Sequence, residues 1–411
     1  MASRKDQRGR ALQKGEFQRA DGRYQYSYTD KLGKRHYIYG KSLVELRAKE
    51  RELLVNSYMG ANPEKYGQSA SLNFMFDRYM ATKLGLKEST YASYYQMYDR
   101  YVRDEFGLQL VKDIKYSDLL GFYTFLLKDK DLAIRSIEYV HKMISPALEL
   151  AVEDGLITKN PARHAYSNFK ISCGKYKRVM HALTIEQQRA FLDYLDGHET
   201  LGRYHSIFQV MLGTGMRVGE LSGLRWQDVD FEKRQIYINH SLVNVGAIRG
   251  KTEKRLKINT PKTEAGCRTI PIMDQVLEGF KEEYRYASAR KFPNCVVDGY
   301  TDFIFVKQNG QVYTCNRLDT ALSVIVQSYN KHEKVIATLE EREPLLLPHI
   351  SNHVLRHTFC TRLCERNINI KVIQTVMGHS SIKITMDIYA EVSEEKQKQE
   401  IDRLAQEIDV F

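Results

Sequence analysis

The pattern of apolar and polar positions changes period several times along the chain. In GRYQYSYTDKLGKRHYIYG, residues 22–40, aromatic and polar residues alternate on both sides of DKLG. A period of two around a turn sequence predicts a β-hairpin. The period then lengthens: after the capping-box pattern Ser42-x-x-Glu45, Leu43, Leu46, Leu53 and Leu54 take helical spacing. Together these segments predict a small sheet-plus-helix domain of about 60 residues, too small to be an enzyme alone. NPEKYGQSAS, residues 62–71, has the turn-rich composition of a linker.

From about 72 to 166 the pattern is helical. Tyr91, Tyr94, Tyr95, Tyr98 and Tyr101 fall on one helix face, readable as an aromatic core stripe or as a surface for stacking nucleic-acid bases. Two further helical runs stop at the turn TKNPA. NFKISCGKYKRVMH, residues 168–181, then reads as an extended basic connector. Its Lys170, Lys175, Lys177 and Arg178 are either candidates for tracking a phosphate backbone or a solvated linker.

The last domain opens at LTIEQQRAFLDYL with a second capping box, Thr184 and Gln187. RQIYINHSL, KRLKINT and CRTIPI predict a three-stranded patch, and PKTEAG between the last two is a tight turn presenting Lys262. Helices follow to the end. After Tyr389, Ile401, Leu404, Ile408 and Phe411 make one apolar helix stripe. That stripe either folds back on its own domain or docks on a neighbouring protomer.

Charge narrows the function. The 411 residues carry a formal net charge of +11, which points to a polyanionic partner. Residues 1–60 hold fourteen Lys/Arg against seven Asp/Glu, and residues 391–411 hold three against seven. A basic head and an acidic tail suit nucleic acid at one end and a protein contact at the other, against the plainer reading of solvated surface charge. Six cysteines without CxxC spacing fit a reducing cytoplasm. No apolar run reaches membrane-spanning length and no signal-peptide core follows the N-terminus, so a soluble intracellular protein without membrane contact is expected.

The candidate chemistry lies in the second half. In LGTGMRVGEL, Arg217 follows a glycine pair where a helix can start, and Glu220 stands three residues on, in position to brace it. HISNHVLRHTFCTRL puts His353, Arg356 and His357 on successive turns of a helix. His353 and His357 have zinc-protease spacing, but Val354 stands where that motif needs Glu, which removes the metalloprotease reading. His357, Cys360 and Cys364 lack a fourth metal ligand and read as core residues. Near the end, VMGHSSIKITMDIYAEVS places His379 ten residues before Tyr389, the one tyrosine after Tyr329 in a chain that has 27.

Two arginines, two histidines, a turn lysine and a late tyrosine suit the transfer of a DNA phosphodiester to a phenol. Guanidinium forks hold the negative charge of a pentacoordinate phosphorus bidentately and keep their protons. Histidines donate hydrogen bonds to it or move protons. A phenol with a pKa near 10 is only about 0.1% ionised at neutral pH, so it needs a cationic pocket or a base before it attacks.

At these residues the chain resembles the tyrosine recombinase (phage integrase) family: TGMRVGEL, HVLR, MGH and DIY match its motifs in order. The basic N-terminal segment is similar to the arm-binding domain of integrases from conjugative transposons. The resemblance implies a small α+β arm-binding domain with a three-stranded sheet and a helix (1–66), an all-α core-binding domain (67–167), a basic linker (168–181), a mainly α catalytic domain with a small antiparallel sheet (182–392), and a tail helix (393–411). It implies that Arg217, Lys262, His353, Arg356 and His379 surround the scissile phosphate. Tyr389 is then the nucleophile, forming a 3′-phosphotyrosyl bond with no ATP, cofactor or metal. Lys262 is preferred over Lys251, Lys254 and Lys257 because it matches the family's hairpin lysine. Met377 and Glu391 depart from the residues the family often has there. The implied partners are double-stranded DNA (transposon ends, core and arm sites, target DNA), further copies of the chain through the tail, and a directionality factor, or excisionase, in a bacterial cytoplasm at the nucleoid. The alternatives are a chromosome-resolving recombinase or type IB topoisomerase-like enzyme, and a DNA-binding regulator whose catalytic set has lapsed.

Overall fold

The computed structural model describes residues 5–7, 9–29, 35–58, 70–174, 181–248, 255–261, 264–289 and 295–390. The chain forms two compact units, Met1–Lys177 with Val245–Arg255, and Arg178–Asn244 with Leu256–Phe411. The unit boundary at 177/178 falls inside the basic connector.

The first unit opens with β1 (Glu16–Gln18), β2 (Tyr24–Thr29) and β3 (Arg35–Gly40), an antiparallel sheet in that order with Tyr26 opposite Ile38. The helix α1 (Leu43–Tyr58) follows, where Ser42 Oγ accepts from the Glu45 amide at 3.1 Å. Leu43 and Leu46 bury against Tyr24. Next come α2 (Leu72–Ala81), α3 (Glu88–Tyr101), α4 (Tyr116–Lys128), α5 (Ile134–Glu153) and α6 (Ala165–Ser172). The tyrosine face of α3 is turned inward: Tyr95 and Tyr98 are buried, and Tyr98 stacks on Phe76. Arg103 lies against both rings and forks onto Asp77 at 2.8 and 3.0 Å. A buried guanidinium so paired anchors the stripe as core.

One expectation for the connector is corrected. Residues 165–172 are helical, because Ala165 and Phe169 bury one face of a short amphipathic turn, so Lys170 is exposed on a helix rather than on an extended strap. Lys175, Lys177 and Arg178 lie outside the described residues.

The second unit carries α7 (Ile185–Leu195), α8 (His205–Thr214), α9 (Val218–Gly223), β4 (Val229–Asp230), β5 (Gln235–Ile238), β6 (Ser241–Val245), β7 (Arg255–Asn259), β8 (Arg268–Pro271), α10 (Asp274–Ala289), α11 (Cys315–Leu339), α12 (Asn352–Glu365) and α13 (Ile370–Met377), then a helical segment over 382–390. Its core gathers Phe191, Phe208, Phe280, Phe305 and Leu355. Thr184 and Gln187 close a capping box on α7. The expected single three-stranded patch is divided. β5 pairs with β4 and β8, while β6 and β7 form a separate ribbon. The break falls at His240, buried between β5 and β6, whose Nε2 shares a 2.7 Å hydrogen bond with the Gly223 carbonyl.

Candidate active site

Two helices end here on glycines in the left-handed region, and the carbonyls at those ends organise the site. α8 is closed by Gly215 (φ 61°) and α13 by Gly378 (φ 62°). A Cβ on Gly215 would lie 2.4 Å from Phe359 Cδ1, so any side chain there would have to displace the Phe359 ring. Two residues on, Arg217 caps α9. Its Nη1 donates to Glu220 Oε1 at 2.8 Å, its amide to Glu220 Oε2 at 2.9 Å, and its Nη2 to the Gly378 carbonyl at 2.8 Å. Arg356, buried on α12, donates from Nη1 to the Gly215 carbonyl at 2.6 Å and from Nη2 to the Met377 carbonyl. Helix C-terminal carbonyls carry partial negative charge, so both guanidiniums are held where the backbone favours a cation.

The charges do not cancel. Among the described residues, Arg217, Arg356 and the buried Arg268 face a single carboxylate, Glu220. Desolvation pushes the Glu220 carboxyl up, but Arg268 and Arg217 outweigh it and hold Glu220 below its usual range. Burial, then the field of Arg217, lowers the Arg356 guanidinium to about 9. His379 is lowered to about 4, by burial first and then by Arg356, Arg217, Arg268 and His353, which leaves its ring neutral at pH 7. Counted over the described residues, the pocket is short of negative charge, the condition that binds a phosphate.

His379 is buried and fixed on several sides. Its amide donates to the Gln374 carbonyl, Gln374 Nε2 donates back to its carbonyl, and Nδ1 shares a 2.9 Å hydrogen bond with Thr385 Oγ1. His353 stands in the first turn of α12 and is exposed; desolvation, then Arg356 and Arg217, lowers its pKa. That turn is anchored to α11, because the Asn352 amide and Nδ2 both donate to Asp319 Oδ1, at 3.1 and 2.7 Å. Tyr389, on the 382–390 helix, packs half-buried against the cluster of Phe359, Cys360, Cys364, Ile373 and Met377. The structure therefore brings Arg217, Glu220, Arg356 and His379 together, with His353 in their field, and seats Tyr389 on the cluster under Met377. Lys262 lies outside the described residues.

Arg268 and Thr385 escaped the sequence reading. For Arg268 a signal was present: in β8 it shares the inward face with Ile270, and a cation on a buried face requires a partner. Thr385 offered none, since a threonine in a helix has no pattern that marks it.

Known proteins share both the sequence and the fold of this chain. The model described as the phage integrase family matches residues 181–396, and that described as the DNA binding domain of Tn916 integrase matches residues 1–57. The chain is 29% identical over 418 residues to the transposase from transposon Tn916 of Enterococcus faecalis, covering 98% of this chain and 97% of the relative. It is 26% identical over 396 residues to a tyrosine recombinase XerC-like protein of Caldanaerobacter subterraneus, covering 90% and 93%. The structure of the Tn1549 transposon integrase in complex with a circular intermediate DNA is similar at a TM-score of 0.67 and 27% identity, covering 82% of this chain and 100% of that one. The chain belongs to the phage integrase family.

Proposed function

We propose that this member of the phage integrase family is the integrase of a conjugative transposon, a tyrosine recombinase that cuts and rejoins double-stranded DNA to integrate and excise the element. The observation that carries the reading is the excess of guanidinium over carboxylate at Arg217, Arg356 and Glu220, next to a neutral His379.

In the proposed reaction the scissile phosphate sits against Arg217 and Arg356, whose forks stabilise the charge that grows on the equatorial oxygens. His379 donates a ring N–H to one of them. Tyr389 Oη attacks phosphorus and gives up its proton, for which the neutral ring of His353 is the candidate acceptor. The P–Oη bond forms as the P–O5′ bond breaks, and the Lys262 ammonium supplies the proton for the departing 5′ oxygen. The products are a 3′-phosphotyrosyl bond and a free 5′-hydroxyl. The phosphodiester energy is retained, so a 5′-hydroxyl from a partner duplex reverses the chemistry and releases Tyr389.

In this reading residues 1–66 bind arm-type DNA, 67–167 clasp the core site, and 182–392 perform the chemistry, joined by the basic stretch 168–181. The acidic tail, 393–411, docks on a neighbouring copy, and a directionality factor assists excision. The work takes place in the cytoplasm, at the nucleoid. Support for the N-terminal role comes from the family match over 1–57 and the excess of cations in 1–60.

A core-site oligonucleotide nicked just beyond the scissile phosphate tests the reading, since loss of the short 5′-hydroxyl fragment traps the covalent complex. Peptide mapping of the adduct is expected to find the nucleotide on Tyr389. An adduct on any other residue, or a 5′-linked one, contradicts it.

A further inference from the structure

We propose that Arg268 is a positioning residue for Arg217 and acts through Glu220; this rests on the reading that Arg217 holds the scissile phosphate. Arg268 opens β8, six residues after Lys262, and its side chain is only 2% exposed. It does not reach solvent, and its donors are committed within the protein. Nη1 and Nη2 fork onto Glu220 Oε1 and Oε2 at 3.0 and 2.8 Å, and Nε donates to the Val376 carbonyl at 2.7 Å.

Glu220 is thereby shared. Each of its oxygens takes one hydrogen bond from Arg217 and one from Arg268, which fills a carboxylate's capacity and removes its freedom to turn. Arg268 also cancels the charge of Glu220, so Arg217 meets an incoming anion with its own charge undiminished. Without Arg268, Arg217 and Glu220 would form a closed one-to-one pair.

The third contact extends the linkage. Val376, Met377 and Gly378 are consecutive, and their carbonyls are taken by Arg268, Arg356 and Arg217 in turn. The stretch that leads into His379 is thus registered against three arginines from three different elements. Arg268 is the member of this row that ties it to the strand following the Lys262 turn.

The test is single-turnover adduct formation on a nicked core-site oligonucleotide, with the full-length Arg268→Gln, Arg268→Lys, Glu220→Gln and Glu220→Gln/Arg268→Gln proteins. The rate constant reports positioning and the amplitude reports the folded fraction. Arg268→Gln is expected to lower the rate constant by about 10- to 100-fold, the effect of losing a charge-assisted hydrogen bond that aims a catalytic group, with DNA affinity held within about threefold. Arg268→Lys should lose less. In the double variant Arg217 no longer faces an unshared carboxylate, so the rate should recover severalfold over Arg268→Gln. A wild-type rate constant in Arg268→Gln, or a double variant as slow as the product of the two singles, overturns the proposal. If Arg268→Gln does not fold, Arg268→Lys decides: a reduced rate constant at full amplitude supports the proposal and a wild-type one overturns it. Arg217→Lys is run alongside, and a wild-type rate there would sink the reading of the site itself rather than the role of Arg268.

Discussion

Arg217 Nη2 donates to the carbonyl of Gly378, 161 residues further along the chain, across 2.8 Å. The residue after that carbonyl is His379. One hydrogen bond therefore couples the guanidinium at the start of α9 to the backbone that leads into the His379 imidazole, with Glu220 fixing the guanidinium from the other side. Neither group can shift without disturbing the other.

The glycine caps should be intolerant of side chains. Gly215→Ala forces an L-residue to φ 61° and drives a methyl into Phe359. A loss of about 1–3 kcal/mol in stability is expected from the backbone strain and overpacking together. Because Arg356 grips the Gly215 carbonyl, cleavage should fall as well. Urea denaturation and adduct kinetics on the same preparation check both effects.

Acid should weaken the fold through His379. Its folded pKa is about 4 against an ordinary value of 6.5, so between those values the unfolded chain holds the extra proton. Stability is then full above about pH 6.5 and is lost as the pH falls towards 4, by about 3 kcal/mol at most from this one group. The acid sensitivity of denaturation midpoints between pH 6.5 and 4 should be visibly smaller in His379→Asn than in wild type. Parallel curves would remove His379 from the linkage.

The N-terminal segment should recognise DNA separately from the chemistry. A protein lacking residues 1–66 is expected to form the covalent adduct on a core-site oligonucleotide while losing protection of a second, distinct sequence near the transposon end. Footprinting of full-length and shortened proteins on one such end measures this. Identical footprints would count against an arm-binding role.

The tail carries the proposal about assembly. Only eleven residues separate Tyr389 from Ile401, so docking of the apolar stripe on another copy would tie the nucleophile to assembly. Deleting 394–411, or Leu404→Asp, should leave single-site binding intact, weaken multimers on DNA and uncouple cleavage from assembly, since a carboxylate in an apolar groove is costly. Mass photometry on DNA beside an adduct assay reads this out. Unchanged multimers with lower thermal stability would mean that the tail packs on its own protomer.

Much of the arrangement was legible along the chain because local rules govern it. Alternating aromatics marked the β2–β3 hairpin, and Thr184 and Gln187 marked the start of α7. Arg217 beside Glu220 was readable because three residues of helix bring them together. What stayed hidden depends on distant partners. Arg268 and Glu220 are 48 residues apart, and the carbonyl grips of Arg217 and Arg356 span 161 and 141 residues. Periodicity predicts which face is buried, and it is silent on what meets a buried guanidinium. The strand break at His240 coincides with a contact of the same kind, a hydrogen bond to the Gly223 carbonyl 17 residues earlier.

The central claim, that Tyr389 attacks a phosphate seated among Arg217, Arg356 and His379, is tested most directly by Tyr389→Phe on the nicked core-site oligonucleotide. Removing one oxygen from a half-buried ring leaves the DNA-binding surface in place, so affinity should match wild type within about twofold. Adduct formation should fall below detection. A Phe variant that binds normally and still yields a covalent protein–DNA complex would contradict the assignment.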